Sequence, residues 1–246
     1  QLPYQKNHMR CLDWELISSQ PTLQDERDLV PHLHNPADGF VRRGKLSKMR
    51  NKRIVREGRQ RGFSTSQTHN LRRTWLRTFK ELHFGNKVDF EPPPHHRRTP
   101  IIFEKKIEDF LRSHDVGFFT EVEQRLNNTS LSPHCVTNYP FQRPTPDFLL
   151  PEPVLINGKL VNWVECKHFY GSSLFSDITN TLPFEDRDQH VDVYALAKQP
   201  MFEVRKKMNR YVENYGPGAV VFSHGFSRDL EYGEDVLILD GSQLYG

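Results

Sequence analysis

Two apolar runs meet at Asn157–Gly158, and this pair constrains the chain more than any other feature. Both residues accept the left-handed backbone that a two-residue β-hairpin turn requires. TPDFLLPEPVLI runs into the turn and KLVNWVECKHF runs out of it. Strand side chains alternate faces. Glu165 and Lys167 therefore share a face with Trp163 and Phe169, while Val164, Cys166 and His168 share the other. Folding about the turn sets Asp147 opposite Lys167 or His168, with Glu165 as its diagonal neighbour. Pro151 and Pro153 cannot donate ladder bonds, so a bulge is expected to shift this register by about one residue. Asp147, Glu165 and Lys167 are expected to converge.

Two converging carboxylates repel unless one is protonated or a cation joins them. A hard divalent ion with oxygen ligands, Mg2+ (or Mn2+), answers that need, with the backbone carbonyl of Cys166 as a further ligand. Lys167 would orient or deprotonate a water, or neutralise charge on a phosphorane. The pattern implies a phosphodiester hydrolase. An ExK triplet or a Pro-Asp pair alone is commonly a solvated strand edge; joined by the hairpin, they are far more specific.

The surrounding pattern is α/β. IIFEKKIEDFLRSH (residues 101–114) spaces Phe103, Ile107, Phe110 and Leu111 as one helix face. VGFFTEVEQ (116–124) reads as a strand, with Glu121 and Glu123 on one face beside Phe119. Residues 125–144 read as loop and 170–199 as a long polar connection, whose Asp186, Asp188, Gln189, His190 and Asp192 match no standard metal spacing. QPMFEVRKKMNRYVENYG reads as a helix that starts near Pro200 and stops at Gly216. GAVVFSHGF and DVLILD are strands.

Charge is uneven. Net charge is +3, yet residues 1–100 carry about 20 Lys and Arg against about 10 Asp and Glu. Residues 39–62 hold about ten cations and one acid, and are expected to be extended, or helical only on a partner. Residues 66–84 read as a basic amphipathic helix on Leu71, Trp75, Leu76 and Phe79. FEPPPHHRRTP (90–100) reads as a stiff linker and a domain boundary. Arg42, Arg43, Lys45, Lys48, Arg50, Lys52, Arg53, Arg56, Arg59, Arg61, Arg72, Arg73 and Arg77 are the candidate contacts to nucleic acid. No apolar run approaches the length of a membrane helix. His32, His34, His95 and His96 lie in Pro-rich stretches and suggest no zinc site. Three cysteines without a CxxC pair fit a reducing compartment or the mitochondrial matrix, with the nucleus as alternative. The sequence begins at Gln1 rather than Met, so an upstream segment is expected to be missing, as after removal of a transit peptide or a trimming of the chain.

TPDFLL together with VNWVECK resembles the PD-(D/E)XK nuclease superfamily, and within it the TPD-motif branch related to the codanin-interacting nuclease. FEKKIEDFL, FFTEVEQR and YVENYGPGAVVFSHGF belong to the same likeness, which covers roughly residues 101–240. The resemblance implies a restriction-endonuclease-like core, a central mixed sheet flanked by helices, over residues 100–246. Asp147 and Glu165 would bind the metal and Lys167 would be the catalytic lysine. Glu104 on the first helix would be an additional acid, with Glu108 as its competitor. Residues 1–99 would form an extended basic arm with one amphipathic helix near 68–82, unlike the helical N-terminal region of that branch. The expected function is a metal-dependent nuclease acting on DNA or RNA. The alternative is a non-catalytic component or assembly factor of a large ribonucleoprotein, such as a mitochondrial ribosome.

Overall fold

Asn157 (φ 49°) and Gly158 (φ 76°) both adopt the left-handed backbone and turn strand β3 (Phe148–Ile156) into strand β4 (Lys159–Lys167). In a computed structural model, the structure describes residues 9–14, 20–33, 48–84, 94–126, 144–174 and 200–245. Around the hairpin stand β1 (Cys11–Leu12), α1 (Leu23–Leu33), α2 (Lys48–Gln60), α3 (Thr65–Phe84) and α4 (Pro94–Ser113). They are joined by β2 (Phe119–Thr120), α5 (Glu121–Leu126), α6 (Pro200–Tyr215), β5 (Gly218–Phe222) and β6 (Val236–Asp240). The last turn, Ser242–Tyr245, is a 3-10 helix.

These strands form one mixed sheet in the order β1-β3-β4-β5-β6. β3 and β4 are antiparallel; β4, β5 and β6 run parallel. β1 and β2 divide the outer edge of β3, β1 in parallel at Leu155–Ile156 and β2 antiparallel at Phe148–Leu149. The step from β4 to the parallel β5 passes through α6, as a parallel pair requires a crossover.

Alternation along the strands builds a core on each face of the sheet. Val164 and Cys166 of β4, with Ala219 and Val221 of β5, pack against Phe103, Ile107 and Leu111 of α4. Trp163 of β4, with Val220 and Phe222 of β5, packs against Val204, Met208 and Tyr211 of α6. Leu29, Val30 and Leu33 of α1, Ile54 of α2, and Leu71 and Trp75 of α3 join this second cluster. The result is a mixed α/β fold whose sheet has helices on both faces.

Three of the helices start on reciprocal caps, in which the N-cap side chain accepts from N3 while the N3 side chain accepts from the N-cap. Thr22 N–H donates to Asp25 Oδ2 at 2.8 Å and Asp25 N–H to Thr22 Oγ1 at 3.2 Å, opening α1. Ser64 and Gln67 do the same for α3 at 2.7 and 3.1 Å. Thr120 and Glu123 open α5 at 2.7 and 3.4 Å.

Several sequence expectations change here. Residues 116–124 are not one strand: the Thr120–Glu123 cap converts Glu121–Leu126 into α5 after two strand residues. The stretch 90–100 does not end as a linker, because α4 begins at Pro94 and continues through Pro100. The basic segment is not extended over residues 48–60. There it forms α2, which buries Ile54 and lays Gly58 against α3. A Cβ on Gly58 would lie 2.2 Å from Thr68 Oγ1, so only glycine permits this approach of the two helices. Upstream of the basic segment the chain contributes the edge strand β1 and helix α1.

Candidate active site

The hairpin register decides which charges meet. Val154 faces Val161, but Leu149 faces Trp163, so five residues of β3 are spanned by two of β4. The bulge around Pro151 and Pro153 thus takes up three residues rather than one, because two prolines interrupt the ladder in one stretch. Phe148 faces Val164, which brings Asp147 alongside Glu165 instead of Lys167 or His168. Asp147 N–H donates to Glu165 Oε2 at 3.3 Å, and Cys166 N–H donates to Asp147 Oδ2 at 2.6 Å. The expected convergence holds with the partners exchanged.

Glu165 and Lys167 share the strand face turned to α6. Lys167 Nζ donates to Glu165 Oε1 in a close ion pair. Lys207 Nζ of α6 reaches the same oxygen at 2.7 Å. Tyr211, one helical turn on, donates its hydroxyl to Glu165 Oε2 at 3.0 Å and lies 2.7 Å from the Thr145 carbonyl. The Glu165 side chain is 1% exposed and Lys167 16%, whereas Lys207 is 42% exposed. The pair lies at the bottom of the site and Lys207 at its opening. Lys207 and Tyr211 were absent from the sequence reading. Their i, i+4 spacing on α6 was visible, but their aim at Glu165 depends on the crossover.

The electrostatics follow from this placement. Burial, and then the Glu165 charge, push the Asp147 carboxyl up to about 7. Burial opposes ionisation of Glu165 too, but Lys167 and Lys207 outweigh it and hold that carboxyl below the usual range. Burial likewise opposes the charge on Lys167, yet Glu165 and Asp147 overcome it and raise its pKa. Glu165 is the settled anion; Asp147 is the carboxyl with unbalanced charge.

Glu104 is half-buried on α4. Its carboxyl is raised by burial and feels Lys167 and Glu165, so it stands within electrostatic reach of the pair. Glu108 is turned away into surface ion pairs with Arg112 at 2.9 Å and Lys105 at 3.2 Å, which removes it as a competitor. Glu121 accepts from Thr145 Oγ1 at 3.1 Å and pairs with Arg125 at 2.5 Å; Glu123 is spent on the α5 cap. His168 points to the α4 side, its ring 6.2 Å from that of Phe103 and its Nδ1 3.0 Å from Ser223 Oγ.

Asp147 and Glu165 are hard oxygen donors side by side, and the surplus charge on Asp147 suits a divalent cation. Cys166 aims its N–H at Asp147, and in a strand the carbonyl of the same residue leaves by the same edge. Its oxygen is therefore placed to join them. Among the described residues, no three His, Cys, Asp or Glu side chains gather into a ready-made ion cage; those that meet are the pair.

Of the candidate nucleic-acid contacts, Lys52, Arg53, Arg56, Arg59 and Arg73 are exposed. Arg61 donates to the Glu57 carbonyl one turn back at 2.9 Å, and Arg72 donates to the Leu33 carbonyl at 3.2 Å, tying α3 to α1. Arg42, Arg43 and Lys45 lie outside the described residues, as do the side chains of Lys48, Arg50 and Arg77. The acidic loop around Asp188 and His190 also lies outside them. No helix among the described residues is long and apolar enough to cross a membrane.

Over 148 residues, 58% of this chain, the sequence is 27% identical to "Uncharacterized protein L539" of Acanthamoeba polyphaga mimivirus. That match spans 40% of the viral protein's length. No solved structure matches. Residues 88–181 match the family model described as protein of unknown function TPD sequence-motif, and the Thr-Pro-Asp within that range is Thr145-Pro146-Asp147, the corner of this site.

Proposed function

We propose that the chain is a divalent-metal-dependent phosphodiester hydrolase acting on nucleic acid, built on a restriction-endonuclease-like core. One observation carries the reading. Asp147 and Glu165 touch through the hairpin, and Glu165 is clasped by Lys167 from its own strand and Lys207 from the neighbouring helix. A purely structural pair would neutralise both acids, whereas here Asp147 keeps a carboxyl poised near 7. The order hairpin, helix, parallel strand also suits that core.

Asp147, Glu165 and the Cys166 carbonyl would hold the ion, which supplies Lewis acidity at a phosphoryl oxygen and a more acidic water. Lys167 stands beside Glu165 where its ammonium can orient the attacking water and offset charge gathering on phosphorus. Glu165, fixed by two amines and Tyr211, keeps its oxygens in one place. Lys207, more exposed, can contact a phosphate on the incoming strand. Trp163 and Tyr211, with ring centroids 5.1 Å apart, form the apolar floor under Glu165.

Cleavage of labelled single- and double-stranded DNA and RNA, with Mg2+, Mn2+ or EDTA, tests the assignment. Asp147→Asn and Lys167→Ala are each expected to lower metal-dependent cleavage by about a hundredfold or more while the protein stays folded. Equal cleavage by wild type and both variants refutes it.

A further inference from the structure

Helix α2 is two-faced in charge rather than in hydropathy. Ile54 and Gly58 are buried, whereas Lys52, Arg53, Arg56 and Arg59 are exposed. Residues 52, 55, 56 and 59 follow helical i, i+3, i+4, i+7 spacing and fall on one stripe. With Gln60 and Thr65, the residues Lys52, Val55, Arg56 and Arg59 line an open groove of about 600 Å³. Internal neutralisation is slight. Glu57 is the acid of this helix, and it turns to Arg61 at 3.2 Å, reaching Arg56 at 3.6 Å. In that second pair the Arg56 side chain is 68% exposed and the contact is long, so it contributes little. Arg59 donates to the neutral Thr65 hydroxyl at 3.3 Å. Cations at such spacing repel along a helix, and a polyanion turns that repulsion into attraction.

We infer that the α2 groove is a docking surface for the phosphodiester backbone of a nucleic acid. The surface rests on the nuclease reading for its role as substrate grip, but binding is measured apart from cleavage, so the two can fail separately. α2 belongs to the same helical layer as α6, which carries Lys207. Its grip is sequence-independent, since the exposed groups are charged forks and ammonium ions suited to phosphate oxygens. A lipid surface suits it less. An interfacial helix sets large apolar side chains opposite its cations, and here that opposite face is covered by α1 and α3. The helix is folded against α3 before any partner arrives, so less ordering entropy is lost on binding than for a flexible basic arm.

Fluorescence polarisation tests the surface with the full chain carrying Asp147→Asn, in EDTA. The probes are a short labelled single-stranded RNA and a short labelled DNA duplex. Lys52→Glu/Arg56→Glu/Arg59→Glu is expected to raise Kd at least about tenfold and to flatten the salt slope by roughly two to three, one counterion per lost contact. The milder Lys52→Ala/Arg56→Ala/Arg59→Ala should move both readouts in the same direction with an unchanged thermal melt. Lys159→Glu/Arg228→Glu, which reverses exposed cations on other elements, should bind like the parent. Parental binding by both α2 variants overturns the inference, as does an equal loss in the Lys159/Arg228 control. Preference for phosphatidylserine vesicles or an Asp-rich peptide over both nucleic acids also overturns it. Intact binding without metal-dependent cleavage by wild type removes the nuclease reading and leaves this surface standing.

Discussion

Lys207 of α6 donates to Oε1 of Glu165, 42 residues before it, at 2.7 Å. The contact makes the helix between two parallel strands part of the site. Lys207 is 42% exposed, so solvent screens its ion pair, and Glu165 keeps Lys167 as a buried partner without it. Lys207→Ala is therefore expected to melt close to wild type and yet lose about tenfold or more in cleavage, chiefly through KM. A fall in thermal stability that matches the fall in activity would show a merely structural role. Paired melting curves and steady-state cleavage separate the two.

Asp147 should set a pH dependence of stability. Its carboxyl is raised from 3.8 to about 7 by burial and by Glu165. The folded state thus holds this proton more tightly than the unfolded chain. That contribution is fully present below about 3.8 and is lost as pH rises through about 7. Asp147→Asn should match wild type near pH 4 and exceed its melting temperature at pH 8. Added Mg2+ or Mn2+ should stabilise wild type at pH 8, by roughly 2.7 kcal/mol at a hundred times Kd, and EDTA should reverse it. The Asp147→Asn variant should show no such gain. Calorimetry at the two pH values, with and without ion, checks both statements.

Glu26 of α1 gives a second, independent titration. It is fully buried, and its Oε2 accepts from Leu174 N–H at 2.7 Å, Ser173 at 3.0 Å and Ser172 at 3.1 Å. Burial dominates these donors and raises the carboxyl from 4.5 to about 7. The sign is that of Asp147: the contribution is complete below about 4.5 and fades as pH climbs through about 7. Glu26→Ala removes the acceptor shared by Leu174 N–H, Ser172 and Ser173 and should cost about 3 kcal/mol at pH 5. Glu26→Gln should instead flatten the dependence of urea midpoint on pH between 5 and 8.

Gly218 begins β5 directly beneath Trp163. A Cβ there would sit 2.1 Å from the indole ring, and Trp163 is held by its Nε1–H to the Gly216 carbonyl at 2.8 Å. Gly218→Ala should cost about 3 kcal/mol, because neither the strand nor the ring can withdraw. Near-ultraviolet circular dichroism and a urea midpoint report the loss.

What the sequence disclosed is what short-range chemistry controls. Asn157–Gly158, the alternation of Trp163, Glu165 and Lys167, and the stripe Phe103, Ile107, Leu111 were legible because turn type and period are local. The register at Asp147 was not, since a bulge holding two prolines can absorb one residue or three with the same sequence. Residues 120–123, Thr-Glu-Val-Glu, carried a helix-capping signature that the alternating apolar pattern concealed. α2 is hidden in the sequence because a charge-rich segment with one buried Ile54 has no hydrophobic face of its own; the glycine that lets it approach α3 becomes informative only beside Thr68. Lys207 and Tyr211 could not be assigned to the site before the crossover set α6 against β4.

The edge strand β1 has a consequence for how the polypeptide can be divided. Leu155 N–H donates to the Arg10 carbonyl and Asn157 N–H to the Leu12 carbonyl, while Trp14 Nε1 reaches the Asp240 carbonyl at the far end of the chain. Residues 10–14 are thereby tied to both β3 and the end of β6. A fragment cut near residue 100 would strip Leu29, Leu33, Ile54, Leu71 and Trp75 from Trp163 and Phe222, leaving a greasy, self-adhering flank. Truncations designed around the Thr-Pro-Asp segment alone should collect in inclusion bodies, and the first hundred residues should travel with the rest.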